Sequence, residues 1–357
     1  MRPRALLVLM VTLVSCSVLP APPPTPTPPP PTQAGDLRTQ LGVLLTEHVM
    51  IVAKESAGAI NRTDDYAGYV ALLSTNEGAL TRVVRTAIGS TTAGLWSKAW
   101  RALNGDLVEY AIRIATHDGD RADAASARLT ATTMPQLADQ LADLTLGQSS
   151  QFLPTLHNEI TALRDMINAQ ANHTYAAMYV SLATAISAAA TIADMLAGGI
   201  ALRFPDKFPG DQSASDVVRR VHLNVLMQQR AYLVTMATAA QINGRTAERA
   251  QALGALSTNV DQLLEELDSS LSKQAWADEL SSLQSYAGSG DSASKNALTD
   301  TFVTHFTAIT KVSPGIVSNQ VNATIKVIDD QREKRLDDVA EDDRAAATAT
   351  QPIADSI

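Results

Sequence analysis

The sequence predicts an all-α protein: tandem antiparallel helical bundles with an internal duplication, set behind a signal peptide and a proline-rich stalk. Three observations carry that expectation. Apolar residues recur at helical spacing along most of the chain, runs of alternating β-branched residues do not stand out, and short motifs of the first half return in order in the second.

The first element is the leader. Arg2 and Arg4 give a positive start and Ala5 to Val14 an apolar run, which together read as a signal peptide over residues 1–15. The run is too short to span a bilayer, which takes about 20 residues. Leu13-Val14-Ser15-Cys16 resembles a bacterial lipobox, so Cys16 is expected to be lipidated and to become the first residue after cleavage. It is the only cysteine in the chain, which excludes an intrachain disulfide. More than one acyl chain is needed for durable attachment, and a diacylglyceryl cysteine supplies it.

Residues 16–35 form the linker. Pro20 to Thr32 is dominated by proline, which lacks the N–H donor and fixes φ, so polyproline II is expected. At about 3.1 Å per residue this makes a semi-rigid spacer of roughly 40 Å.

The body follows. Hydrophobic residues make up 45% and charged residues 18% of the chain, a globular balance. A net charge of −9, a pI near 5.1 and 4% aromatics argue against a nucleic-acid partner, which calls for basic patches and stacking platforms. Helical periodicity is expected over about 36–60, 65–88, 93–116, 120–145, 150–170, 174–203, 215–242, 246–270, 272–287, 292–310 and 315–343. Thr63-Asp64-Asp65 and Ser213 to Asp216 supply capping signals. The stretch Thr174–Ala193 carries no charge, but it is mostly Ala, Ser and Thr, and Asp194 follows at once. It reads as a small-residue helix buried at the centre of a bundle rather than a membrane span. Residues 344–357 read as a flexible tail.

The repeat sets the domains. Leu72-Leu73-Ser74-Thr75-Asn76 returns as Ala255-Leu256-Ser257-Thr258-Asn259, and Ala59-Ile60-Asn61 as Gln241-Ile242-Asn243. Ala99-Trp100 with Tyr110 returns as Ala275-Trp276 with Tyr286. Bundle 1 is therefore expected over 36–210 and a shortened bundle 2, one helix short, over 211–343.

Leu44-Leu45-Thr46-Glu47-His48, Trp100-Arg101 with Glu109-Tyr110, His157, and Phe204-Pro205-Asp206-Lys207-Phe208 together resemble a family of secreted bacterial all-helical proteins. Some members carry automatic copper amine oxidase labels. The β-rich fold and topaquinone of that enzyme have no counterpart here. The resemblance implies histidines on four helices of the unit. Glu47, His48 and His157 match that pattern, whereas Leu103, Ala188 and Thr191 replace it, and Gln229-Arg230 stands where Glu47-His48 stood.

Taken alone, His48 lies on the apolar stripe of its helix and His157 beside the Leu156/Ile160 seam of another. Imidazole is a common transition-metal ligand, and a bundle core can gather ligands from facing helices. A histidine satisfied inside the core explains the same placement. The expectation is no cofactor, with copper or another transition metal on Glu47, His48 and His157 as the alternative. That site would be incomplete because of Leu103, with the two histidines within about 10 Å across the core. His117, His173, His222 and His305 read as loop or surface residues. HExxH, CxxC, GxSxG, Walker and Rossmann glycine patterns do not occur. The expected function is that of a non-enzymatic binding or scaffold module on the extracytoplasmic face of a bacterial membrane, held by its lipid. Its partner would be an envelope protein or a small ligand.

Overall fold

The computed structural model describes residues 33–267, 273–309 and 312–357; the signal peptide, Cys16 and the proline-rich stalk lie outside them. All regular structure among the described residues is helical. The chain runs through α1 (Ala34–Asn61), α2 (Tyr66–Ile88), α3 (Ser90–Ala115) and α4 (Gly119–Arg128). A π-helical turn (Leu129–Thr133) joins α4 to α5 (Met134–Thr145), followed by α6 (Ser149–Ala171) and α7 (Tyr175–Arg203). The second half holds α8 (Ser215–Ile242), α9 (Thr246–Glu266), α10 (Lys273–Ser289), α11 (Ser292–Ile309), α12 (Pro314–Glu333), α13 (Val339–Thr348) and α14 (Gln351–Ala354).

Short turns reverse the chain between neighbours, so most helices pack antiparallel to the one before. At one end lie the start of α1, the loop 204–214 and the end of α5. Here the Ala34 amide donates to Pro209 O (3.0 Å), and Arg38 holds Asp194 of α7 and the Gln212 carbonyl at 2.7 Å each. At the other end lie the end of α1, the loop 62–65 and the ends of α6, α8 and α12.

α1 is the central helix, in contact with α2, α3, α6, α7 and α8. That explains its composition. A helix surrounded on all sides needs apolar residues all round, and Leu37, Leu41, Leu45, Val49, Ile51 and Val52 supply them. Among its buried polar residues, Glu47 reaches α2, α8 and α13, His48 reaches α3, and Ser56 reaches α6. One hydrophobic core runs from Ala34 to Ala354, continuous across the expected boundary at 210/211.

α7 was expected at a bundle centre but lies on its flank. Ala185, Ala189, Ala193 and Ala197 face the core, while Ala176, Ala177, Val180, Ala183, Ser187 and Thr191 are exposed. α7 is the one helix among the described residues long and apolar enough to cross a membrane, and 56% of its most apolar window is buried. Small residues allow close approach: a Cβ on Gly199 would stand 2.3 Å from Thr145 Cβ.

Three other expectations change. The helix expected over 120–145 carries the π turn just before Pro135, whose missing N–H cannot continue the α ladder; the Met134 amide instead bonds Leu129 O. The helix expected over 315–343 stops at Glu333. Lys334 takes a left-handed φ of 60°, and the Arg335 amide caps Asp330 O (3.0 Å). Finally, the expected flexible tail 344–357 is docked. It continues α13 and forms α14, with Ala346, Ala347 and Ile353 fully buried. Alanine and isoleucine there cover α8, α2 and α12, contacts that no local pattern reveals.

The two halves repeat several contacts in the same order. The Asn76 amide donates to Leu44 O (2.9 Å), and Asn259 to Leu226 O (3.0 Å). Ser56 donates to Gln170, which donates to Ala53 O; Thr238 donates to Gln331, which donates to Thr235 O. The Tyr110 hydroxyl donates to Asn168 on α6, and that of Tyr286 to Asp329 on α12.

Candidate functional site

The residues singled out from the sequence are not brought together. Glu47 is buried on α1, and its carboxylate is saturated. It accepts from Asn76 Nδ2 (2.8 Å), the Tyr232 hydroxyl (3.3 Å) and Arg344 Nε (3.1 Å) and Nη2 (3.3 Å).

His48, next in sequence, turns to α3. Its Nε2 lies 2.8 Å from Asn104 Oδ1 and its ring meets Trp100 edge-on at 5.0 Å. The Asn104 amide nitrogen donates to Leu73 O (3.4 Å), so Oδ1 is the acceptor and His48 carries its proton on Nε2. Complete burial pushes the imidazole down to about 4, against the small upward pull of Asn104, so it is neutral at physiological pH.

His157 sits on the exposed side of α6. Leu156, Ile160, Leu163 and Ile167 fill the inward stripe, and the next residue round is turned to solvent. Glu47, His48 and His157 therefore face three different surroundings. Leu103 is packed into the core. Among the described residues no group of three or more His, Cys, Asp or Glu side chains is arranged to hold a metal ion.

Among the buried groups that escaped the sequence reading are Glu159 and His305. Glu159 is the inward acid of α6, and burial raises its carboxyl to about 8. His305, expected at the surface, is buried on α11 along the stripe Leu298, Phe302, Phe306. That i, i+4, i+8 spacing was the available signal. His305 Nδ1 lies 3.0 Å from Glu279 Oε2, and Arg230 Nη2 donates to Glu279 Oε1 at 2.9 Å. The Trp276 ring packs against both, 4.5 Å from the Arg230 guanidinium and 4.5 Å from the His305 ring. Burial opposes charge on Glu279, but Arg230 and His305 together hold its carboxyl below the usual range. A cavity of about 10 Å³ beside Arg230, Glu279 and Gln320 has room for one water molecule.

A larger concavity lies elsewhere. A cleft of about 250 Å³ opens between the halves at the end of the bundle where α1 and α8 finish. Its floor is the buried Lys54 ammonium, ion-paired with Asp343 of α13 and donating to Thr235 Oγ1 (2.7 Å). Asp343 also accepts from the Tyr69 hydroxyl (2.8 Å) and from Thr235 Oγ1 (2.6 Å). Burial, then the Asp343 charge, holds the Tyr69 hydroxyl protonated well above its ordinary range. Gln170 and Gln331 form matching walls, each pinned by a hydroxyl and a carbonyl of the neighbouring central helix.

The rim comes from turns. Arg62 ends α1 in the left-handed region (φ 55°), with its amide on Gly58 O. Asp64 and Asp65 follow, and across the cleft Arg245 holds Glu248 (2.6 Å) and Lys334 holds Asn243 (2.8 Å). Gly58 permits the tight turn, because a Cβ there would lie 3.1 Å from Tyr66 Cα. The cleft thus combines side chains of both charges with Tyr175, Met178, Met236 and Leu336, a lining suited to a polar ligand with some apolar surface.

Comparison of the chain with protein-family models, with curated proteins and with solved structures finds no match.

Proposed function

We propose that this chain is a lipid-anchored extracytoplasmic protein of the bacterial envelope, built from two copies of one helical unit. In this reading the cleft between the halves takes a small polar ligand or a segment of an envelope protein. Cys16 and the proline-rich stalk hold the body at the membrane and have no chemical role.

The observation that carries the binding role is the place of the cleft. The described chain begins at Gln33, at one end of α1, and the cleft lies at the other. Twenty-eight helical residues separate those ends by roughly 40 Å at 1.5 Å per residue. A cleft facing away from the anchor is open to whatever diffuses in the envelope. The recurring contacts of Asn76 and Asn259, Gln170 and Gln331, and Tyr110 and Tyr286 support the two-copy reading.

A thermal-shift screen of the full chain against amino acids, short peptides, nucleotides and sugars tests the binding role. At 100 times its Kd a ligand adds about 2.7 kcal/mol to stability, enough to identify it. Ala239→Trp places an indole in the cleft and should abolish the shift. A screen without a stabilising compound, or a shift that survives Ala239→Trp, overturns this role. The anchor is tested separately by fractionating cells that carry Cys16→Ser. A variant as membrane-bound and as fully processed as the parent removes it.

A further inference from the structure

Four large hydrophobic side chains stand out as exposed among the described residues: Leu95 (51%), Leu146 (71%), Val180 (68%) and Leu202 (84%). Single exposed leucines are ordinary. Their distribution is not. Leu95 lies in the first two turns of α3, Leu146 just after α5 and Leu202 in the last turn of α7, so three of the four sit at the end of the bundle where the chain enters α1. Val180, near the start of α7, lies toward the opposite end.

Leu146 and Leu202 flank one junction. Arg203, beside Leu202, donates to the carbonyls of Asp143 and Leu144, and Thr145, beside Leu146, packs against Gly199. Leu146 also holds a left-handed φ of 57°. Glycine or asparagine normally takes such a cap, because a Cβ is disfavoured there. A bulky apolar residue in that conformation, turned to solvent, contributes nothing visible to the fold.

We propose that this end of the bundle rests on the lipid surface, with Leu146 and Leu202 dipping among the headgroups. The inference rests on the lipid-anchor reading. Ser17 to Thr32 separate Cys16 from the described chain, a reach of at most roughly 55 Å when fully extended. The tether keeps this end of the body within that reach of the bilayer, where even a weak apolar contact is populated because it is intramolecular. A second copy of the chain or an envelope protein could use the same leucines. The lipid surface is favoured because the tether delivers this end to it. Docked this way, the body holds the cleft away from the membrane.

The test uses the full lipidated chain in vesicles of phosphatidylethanolamine and phosphatidylglycerol with brominated acyl chains, which quench tryptophan on contact. The native Trp96, Trp100 and Trp276 are buried, giving a steady background. Leu202→Trp and Leu146→Trp report on the proposed face, and Asp120→Trp, exposed at the start of α4, on the opposite end. Expected is a roughly twofold loss of the added emission in the two leucine variants and no loss in Asp120→Trp, as for side chains at the headgroup boundary. If the parent floats with the vesicles but all three variants are equally unquenched, the contact is wrong and the anchor stands. A parent that does not float removes the anchor and this contact with it. A dimer in detergent that dissociates when Leu146 and Leu202 are changed to Ser assigns the face to a second copy and overturns the proposal.

Discussion

The two halves solve the same packing problem with different chemistry. In each, a residue of the central helix meets a tryptophan on the third helix: His48 with Trp100 in the first half, Arg230 with Trp276 in the second. In the first half His48 is neutral and bonded to Asn104, and the buried Glu159 of α6 is protonated near neutral pH. In the second half the centre is ionic, with Glu279 between Arg230 and His305. Gln320 precedes Gln331 at the spacing by which Glu159 precedes Gln170, so an amide replaces the buried acid. The common framework lies in the amide and hydroxyl clasps that recur in both halves. The group at the centre is free to vary, provided each variant is neutral or paired.

The largest effect should come from breaking the ionic centre. Glu279→Ala leaves Arg230 buried without its counter-charge and is expected to cost about 3–5 kcal/mol in denaturant unfolding. The double variant Arg230→Met with Glu279→Leu removes both charges and should be at least as stable as the parent. A double variant as unstable as the single one would mean that the ionic centre itself holds the second half together.

Asp343→Ala tests the joint between the halves. It leaves the Lys54 ammonium buried and removes the acceptor of Tyr69, at a cost of about 3 kcal/mol. Unchanged unfolding would show that the C-terminal helix is not docked.

Glu159→Gln gives the first half the residue found in the second. The acid is raised from 4.5 to about 8 in the fold, so the unfolded chain loses its proton first as pH rises. The parent is therefore fully stable on this account below about pH 4.5 and loses stability progressively up to about pH 8. The glutamine variant should escape that loss, with an advantage on the order of 2–4 kcal/mol at pH 8 that vanishes near pH 4. Parallel stability–pH curves for the two proteins would contradict the burial of this acid.

The smallest effects should be equal ones. Tyr110→Phe and Tyr286→Phe each remove one matching hydrogen bond, and each is expected to cost about 1 kcal/mol, additively. A marked inequality would weaken the equivalence of the third and sixth helices of the first half with α10 and α12.

The sequence by itself determined the helices, because apolar spacing is a local property of the chain, although the expected caps at Thr63-Asp64-Asp65 and Ser213 to Asp216 form no side-chain cap bond. Most helices expected from it begin and end within a few residues of those observed. It also placed His48 on an apolar stripe, and His48 is buried. Tertiary structure alone decided what such residues face. Periodicity gives the direction of a side chain about its own helix but not which helix stands opposite. Hence Glu47 meets Arg344, nearly 300 residues away in the chain, while His157 turns to solvent and Glu159, two residues on, turns inward. The docking of the C-terminal segment and the cleft between the halves were hidden for the same reason. Both arise from contacts between segments far apart in sequence, and each local signal there, an alanine run or a charged turn, reads equally well as an exposed end.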